Sequence, residues 1–351
     1  MAVTARQSPD FRTISDLRKR PLSARGGLFT QVLQRCQQAG LVSLGPVALD
    51  GTKIRANASK HNAMSYGRMK TAEPARAAAV AQWLAQAAAL DVREDAAYGA
   101  DRRGDELPEW VTNKPHRVEK IRAANAALEA EAQANAPGKK RTADLPSDRP
   151  RRGRPAKNPP GTPHDRAPRH FTDPDSRIMK TPDGFIQGYN AQAAVDAEHQ
   201  VIVAQGLTNQ ARDAHQLEPM LAHSKANTGR QARELSADAG YCFAHNLTAW
   251  NRHHVRGYVA TGRQKHGAAS AVGMRKPVPR TRVHAMTIRL KRAGYRRRYR
   301  LRKQVVEPVF GQIKQARGFR QFLLRGLSQV AGEWSVLCSG HTMLKLAGAR
   351  G

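Results

Sequence analysis

Three carboxylates in this chain stand in settings that could do chemistry. Asp50 follows an apolar run in VALDGTK and Asp238 follows another in LSADAGY, with a glycine within two residues of each. A carboxylate at the tip of a buried strand, beside a glycine that lets backbone approach, suits a metal or substrate in an open α/β sheet. The alternative is an ordinary turn or cap aspartate. Glu307 is marked differently: between residues 271 and 330 it is the one acid among 17 Lys and Arg. It is either a salt-bridge partner or a metal ligand inside a phosphate-binding surface. Three carboxylates from separate segments could hold two divalent ions about 3.5–4 Å apart, the arrangement that cleaves phosphodiesters. Oxygen-only ligands suit Mg²⁺ or Mn²⁺. His253 and His254 are adjacent and point apart, so they read as surface residues. Gly51-Thr52-Lys53 has the wrong order for a phosphate-binding Gly-Lys-Ser/Thr loop.

The charge balance agrees with a phosphate partner. Fifty-nine Lys and Arg against 28 Asp and Glu leave a net +31, which points to nucleic acid. At 5% aromatic, the chain is poorly equipped to work mainly by stacking single-stranded bases. No apolar stretch is long enough to span a membrane, and the N-terminus lacks the apolar core of a signal peptide. Cys36, Cys242 and Cys338 lie far apart, which excludes a disulfide framework or a cysteine zinc site. The expected setting is cytoplasmic, associated with the nucleoid, with no membrane partner.

The elements that must position these residues follow from periodicity. Residues 45–58 predict a strand with Asp50 near its end, and 185–196 with 200–208 predict a hairpin. A helix is expected over about 213–228 with Asp213 as its cap, then a strand ending at Asp238, a helix from about 243, and a strand at 256–260. In the C-terminal helices Val305, Val306, Val309, Phe310 and Ile313 keep one apolar face despite Pro308. Between the first and second strands lies an insertion. Residues 59–136 predict two amphipathic helices, one carrying Val80, Trp83, Leu84, Ala87 and Leu90, the other Val118, Ile121, Asn125 and Leu128. Residues 137–170 hold eight of the 20 prolines and read as a basic linker. Inside it, Arg152-Gly153-Arg154-Pro155 resembles an AT-hook core, where arginines enter a narrow minor groove; the alternative is a solvated linker attracting phosphates.

At these residues the sequence resembles the DDE transposases of bacterial insertion sequences. VALDGTKIRANASKHNAMSYGRM resembles the first-aspartate block, and EDAAYGADRRGDELP the turn of the helical insertion. FTDPDSRIMKTPDGFIQGYNAQAAVD resembles the block leading into the second and third strands. SADAGY carries the second aspartate and VVEPVFGQIKQARGFRQFLLRGL the glutamate helix. The resemblance implies an α/β fold: a ribonuclease-H-like mixed sheet flanked by helices, with an α-helical hairpin inserted between the first and second strands. It implies Asp50, Asp238 and Glu307 as the catalytic and metal-binding triad, with Lys314 at the family's lysine seven residues after the glutamate. The family's pattern has Tyr seven and Arg four residues before the glutamate; Arg300 and Lys303 stand there instead, and Tyr299 and Arg302 keep the spacing one residue further away.

The expected division is residues 1–44 as the remnant of an N-terminal helical region, 45–58 and 171–330 as the catalytic core, 59–136 as the hairpin, 137–170 as the linker and 331–351 as a C-terminal helix. Only 49 residues precede Asp50 where the family carries a larger helical domain, so an N-terminally truncated or alternatively started copy is expected. The implied activity is cutting and joining of double-stranded DNA, at element ends and target, by a homo-oligomer with Mg²⁺ or Mn²⁺. Lys53, Arg152, Arg154, Arg296, Arg297, Arg300, Arg302, Lys303 and Lys314 are the expected DNA contacts. A metal-dependent nuclease of the same fold, or an inactive DNA-binding remnant, remains the alternative.

Overall fold

The segment FIQGYNAQAAVD lies in a 13-residue strand that organises the sheet. A computed structural model describes residues 10, 22–59, 62–98, 109–134, 136, 158–262 and 281–349. In it, Gly184–Asp196 forms β5, buried along most of its length. The first strand, β1 (Pro46–Arg55), runs antiparallel to β5, with Asp50 opposite Ala193 and Gly51 opposite Gln192. The other edge of β5 is shared end to end by β4 (Arg177–Thr181) and β6 (Ile202–Thr208), both antiparallel to it. On the far side of β1, the pairing turns parallel: β7 (Glu234–Ala237) pairs β1, and β8 (Arg256–Val259) pairs β7. The result is a mixed six-stranded sheet of order β4-β5-β1-β7-β8, with β6 beside β5.

Helices cover the sheet because their apolar faces have nowhere else to go. α1 (Leu22–Gln38) packs against the C-terminal helix α8 (Leu327–Gly348), with Leu33, Cys36, Trp334 and Cys338 fully buried. α4 (Leu217–Thr228) lies on β6, and α5 (Ala244–Arg252) connects β7 to β8. α6 (Arg282–Leu290) leads into α7 (Ala293–Gly311), which lies on β1 and buries Val305, Val306, Val309 and Phe310 as the periodicity predicts. Pro308 has no N–H for the carbonyl of Gln304 one turn back; the side-chain amide of Gln200 donates to it instead at 3.0 Å. A π-turn, Gln312–Ala316, extends this helix.

The chain divides into two compact units, Met1–Asn57 with Asp175–Gly351, and Ala58–Pro174. The second unit contains the expected helical hairpin, α2 (Tyr66–Tyr98) and α3 (Glu109–Ala134). Tyr66, Met69, Ile121, Ala124 and Leu128 form its core, and Glu73 pairs with Arg122 at 3.0 Å while accepting from the buried amide of Asn125. Side chains of Trp83, Leu84, Ala87 and Leu90 lie outside the described residues. Residues 158–170, read from their prolines as linker, instead fold onto this unit: β3 (Pro168–His170) pairs β2 (Ala63–Ser65), and Asp165 and Ala167 accept from the N–H groups of Gly67 and Tyr66. Proline is disfavoured in helix interiors and central strands, but a two-stranded ribbon tolerates it at its edge. Arg152 and Arg154 lie outside the described residues.

Candidate active site

Asp50 and Asp238 come together through sheet register. Leu49 pairs Ala237 across the parallel β1–β7 ladder, so each aspartate is the next residue along neighbouring strands. Sequence placed Asp50 near the end of its strand; in the structure β1 continues to Arg55 and β7 stops at Ala237. The carboxylates gain their opening because the partner strand ends, leaving one edge of β1 unpaired at this point. Asp238 Oδ1 accepts from the Gly240 N–H at 2.8 Å, and Asp50 Oδ1 from the Gly51 N–H at 2.9 Å. Burial, the largest cause, pushes the Asp50 carboxyl up to about 7, with Arg302 pulling it down and Asp238 and Asp213 adding to the rise. Burial likewise raises Asp238, against the Gly240 N–H.

Helix α7 delivers Arg302 and Glu307 to the same place. Arg302 Nη1 donates to Asp50 Oδ2 at 2.6 Å and its Nη2 lies 3.4 Å from Glu307 Oε1. The Arg302 side chain is 11% exposed, against 47% for Glu307. The guanidinium carbon also lies 5.9 Å from the Tyr299 ring centre. Thus Arg302, one residue out of the expected spacing, reaches the carboxylates, with Tyr299 beside its guanidinium. Arg300 and Lys303, at the family's spacing, point outward and are exposed. The site explains the difference: Arg302 and Val306 are one turn apart, and the buried Val305, Val306 and Val309 fix which face meets β1.

Asp213 belongs to this site, and sequence reasoning assigned it elsewhere. It does not cap α4, whose N-cap is Gln216. Its Oδ1 accepts from Asn190 Nδ2 at 2.7 Å and Gln192 Nε2 at 2.8 Å. Gln192 is held in turn by the Tyr241 hydroxyl, and its backbone carbonyl accepts from Trp334 Nε1 at 3.1 Å. Burial pushes the Tyr241 phenol well above its usual range, with Asp213, Asp50 and Asp238 adding to it. The signal was present in sequence: Asn190 and Gln192 are polar residues two apart in a strand, so they share one face and, once buried, need a partner.

The expected phosphate contacts fall into distinct settings. Arg297, Arg300 and Lys303 are exposed on α7. Arg296 donates to the Lys291 carbonyl at 3.3 Å, and Arg298 lies 3.5 Å from Glu234. Lys314, on the π-turn, donates to the Lys53 carbonyl at 3.0 Å, while Lys53 Nζ donates to the Lys180 carbonyl at 3.0 Å. Burial, then Arg320, lowers the Lys314 ammonium.

Hard oxygen donors, desolvated and repelling one another, fit a divalent cation in type. Arg302 is the positive charge that now answers them. Among the described residues, no three Asp, Glu, His or Cys side chains converge closely enough to hold one ion. No helix among them is long and apolar enough to cross a membrane.

No curated protein and no solved structure matches the chain. The family described as transposase DDE domain matches residues 161–342, which takes in Asp213, Asp238, Arg302, Glu307 and Lys314 and leaves Asp50 outside. The match covers just over half of the chain, and the chain belongs to the transposase DDE domain family.

Proposed function

We propose that the chain cuts and joins double-stranded DNA at element ends, at a centre of Asp50, Asp238 and Glu307 that holds Mg²⁺ or Mn²⁺. The observation that supports this reading above others is the placement of Asp50 and Asp238 on adjacent strands, buried enough for Asp50 to hold its proton to about 7. Two such carboxylates in an otherwise strongly cationic protein are costly unless a cation answers them. A bound divalent ion supplies water activation and stabilises the leaving oxygen. The chain's own residues do the rest. Asp50 and Asp238, on adjacent strands, and Glu307, the most exposed of the three, on α7, would hold the cation. Arg302 keeps the carboxylates compensated before DNA and metal arrive. Arg297, Arg300 and Lys303 hold backbone phosphates along α7, and Lys314 and Lys53 carry positive charge on the β1 side. A homo-oligomer would bring two element ends together.

The test uses the full chain with labelled duplex ends and a target duplex in Mg²⁺. Cleavage followed by covalent joining of the 3′ end to target supports the reading. Fragments with no joined product would make the chain a nuclease, and binding without cleavage a DNA-binding remnant.

A further inference from the structure

The triad does not account for every carboxylate at this site. Asp213 comes from the loop after β6 and is tied down on one side only. Both amide donors, from Asn190 and Gln192, meet the same oxygen, Oδ1. The other oxygen, Oδ2, faces the second aspartate. A Cβ built on Gly240 would sit 3.1 Å from Asp213 Oδ2 and 3.0 Å from Asp238 Oδ1, so both oxygens border one small space. A Cβ built on Gly51 would sit 2.6 Å from Asp213 Oδ1. The Asp213 carboxylate therefore lies against the glycines that follow both Asp50 and Asp238, and side chains at either position would intrude on it.

A structural role needs only the hydrogen bonds to Oδ1. It leaves unexplained why a carboxylate, rather than an amide, stands here with its Oδ2 bordering the same space as Asp238 Oδ1. Concentrating negative charge is unfavourable in the isolated protein and favourable once a cation is present. The cluster already draws one cation, the Arg302 guanidinium.

We infer that Asp213 is a fourth carboxylate of the metal centre, a positioning residue that binds the hydrated cation through its retained water while Asn190 and Gln192 fix its orientation. With Oδ1 already held by two amide donors, Asp213 has only Oδ2 toward Asp238 and is placed one water away from the cation. Mg²⁺ keeps several waters in protein sites, and outer-shell partners of a metal centre typically contribute 10–100-fold in metal affinity. This inference rests on the proposed metal-dependent activity.

The test measures Mn²⁺ binding to the full chain by isothermal titration calorimetry without DNA, for wild type, Asp213→Asn, Asn190→Ser and Asp50→Asn. Asp213→Asn keeps an oxygen for the amide clamp and removes the charge. It should weaken Mn²⁺ by about 10–100-fold with stoichiometry unchanged, and shift the metal-free melting temperature little. Asn190→Ser, which loosens the carboxylate and keeps its charge, should weaken binding several-fold and stands alone if Asp213→Asn fails to fold. Unchanged affinity in these variants overturns the inference, leaving Asp213 a loop anchor. Loss of a bound ion from the stoichiometry in Asp213→Asn also overturns it, since that marks a direct ligand. If Asp50→Asn loses Mn²⁺ and the Asp213 and Asn190 variants do not, only this inference fails. If wild type binds no Mn²⁺, the metal-dependent reading fails with it.

Discussion

Arg302 on α7 places Nη1 2.6 Å from Oδ2 of Asp50 on β1, and this contact joins the glutamate helix to the strand that carries the first aspartate. Both side chains are largely buried, 11% and 16% exposed, so neither charge has much water to fall back on. The same guanidinium reaches Glu307, which makes Arg302 the charge around which the site is organised without metal.

Removing that guanidinium strands the carboxylates. Arg302→Ala should lower stability in chelator by about 1–3 kcal/mol, the cost of leaving a buried partner unpaired. Saturating Mn²⁺ should then raise the urea midpoint of the variant more than that of wild type, because the ion replaces the lost charge. Arg302→Lys should rescue only partly, since one ammonium cannot bridge two carboxylates as a planar guanidinium does. Equal midpoints for wild type and Arg302→Ala in chelator would show that the pair carries no stability.

Asp50→Asn, Asp238→Asn and Glu307→Gln should each reduce DNA cleavage by orders of magnitude while duplex binding in chelator stays within about twofold, because phosphate contacts rather than carboxylates supply affinity. Gel-shift and cleavage assays on the same preparations decide it. Full cleavage by Glu307→Gln would leave Glu307 as a salt-bridge partner of Arg302 alone.

Arg297, Arg300 and Lys303 follow one another at a spacing of three along α7 and are exposed, so they share a face. Replacing all three by Ala should flatten the slope of log affinity against log salt by up to about three, one for each lost phosphate contact. Arg298→Ala should change it little, because Arg298 lies beside Glu234. Fluorescence anisotropy across a salt series measures both. An unchanged slope in the triple variant would assign DNA contact to another face.

Gly51→Ala tests the crowding beneath Asp50. Its new methyl would meet Gln192 Nε2 at 2.4 Å and Asp213 Oδ1 at 2.6 Å, and neither can retreat without breaking the amide clamp. A loss of about 1–3 kcal/mol is expected, as for overpacking elsewhere, read from urea denaturation. A neutral result would show that the clamp can move aside.

His341, fully buried on α8, sets an acid limit to stability. Its Nε2 lies 3.0 Å from the Gln200 carbonyl and its Nδ1 3.4 Å from the Arg317 guanidinium. Burial, the largest cause, lowers its pKa from 6.5 to about 4, with Arg317 and Lys345 adding to the fall and Gln200 opposing it. Between these values the unfolded chain holds the proton and the folded chain does not. The contribution is complete above about pH 6.5 and is lost as pH falls toward 4, by at most about 3 kcal/mol. His341→Asn should lose this pH dependence in denaturation midpoints between pH 4 and 7; a slope equal to wild type would assign it to other groups.

Much of this protein was legible in its sequence. Apolar runs named the strands around Asp50 and Asp238, the hairpin of β5 and β6, and the buried face of α7, because periodicity reports burial directly. The cationic stretch around a single glutamate singled out Glu307 for the same reason: charge asymmetry is a property of composition. Tertiary structure alone decided which charges meet. Register between β1 and β7 put the two aspartates side by side, and the early end of β7, not of β1, opened the site. The helical phase of α7 chose Arg302 over Arg300 and Lys303, because Val305, Val306 and Val309 had to face the sheet. Asp213 looked like a helix cap in one dimension, since a short acidic side chain before a helix is the usual sign of one. It became part of the site only when β5 presented Asn190 and Gln192 on the same face, opposite Lys53 and Gly51. Local pattern is set by neighbours a few residues away, whereas ion pairs across this sheet join residues far apart in the chain, and only the folded register brings them within reach.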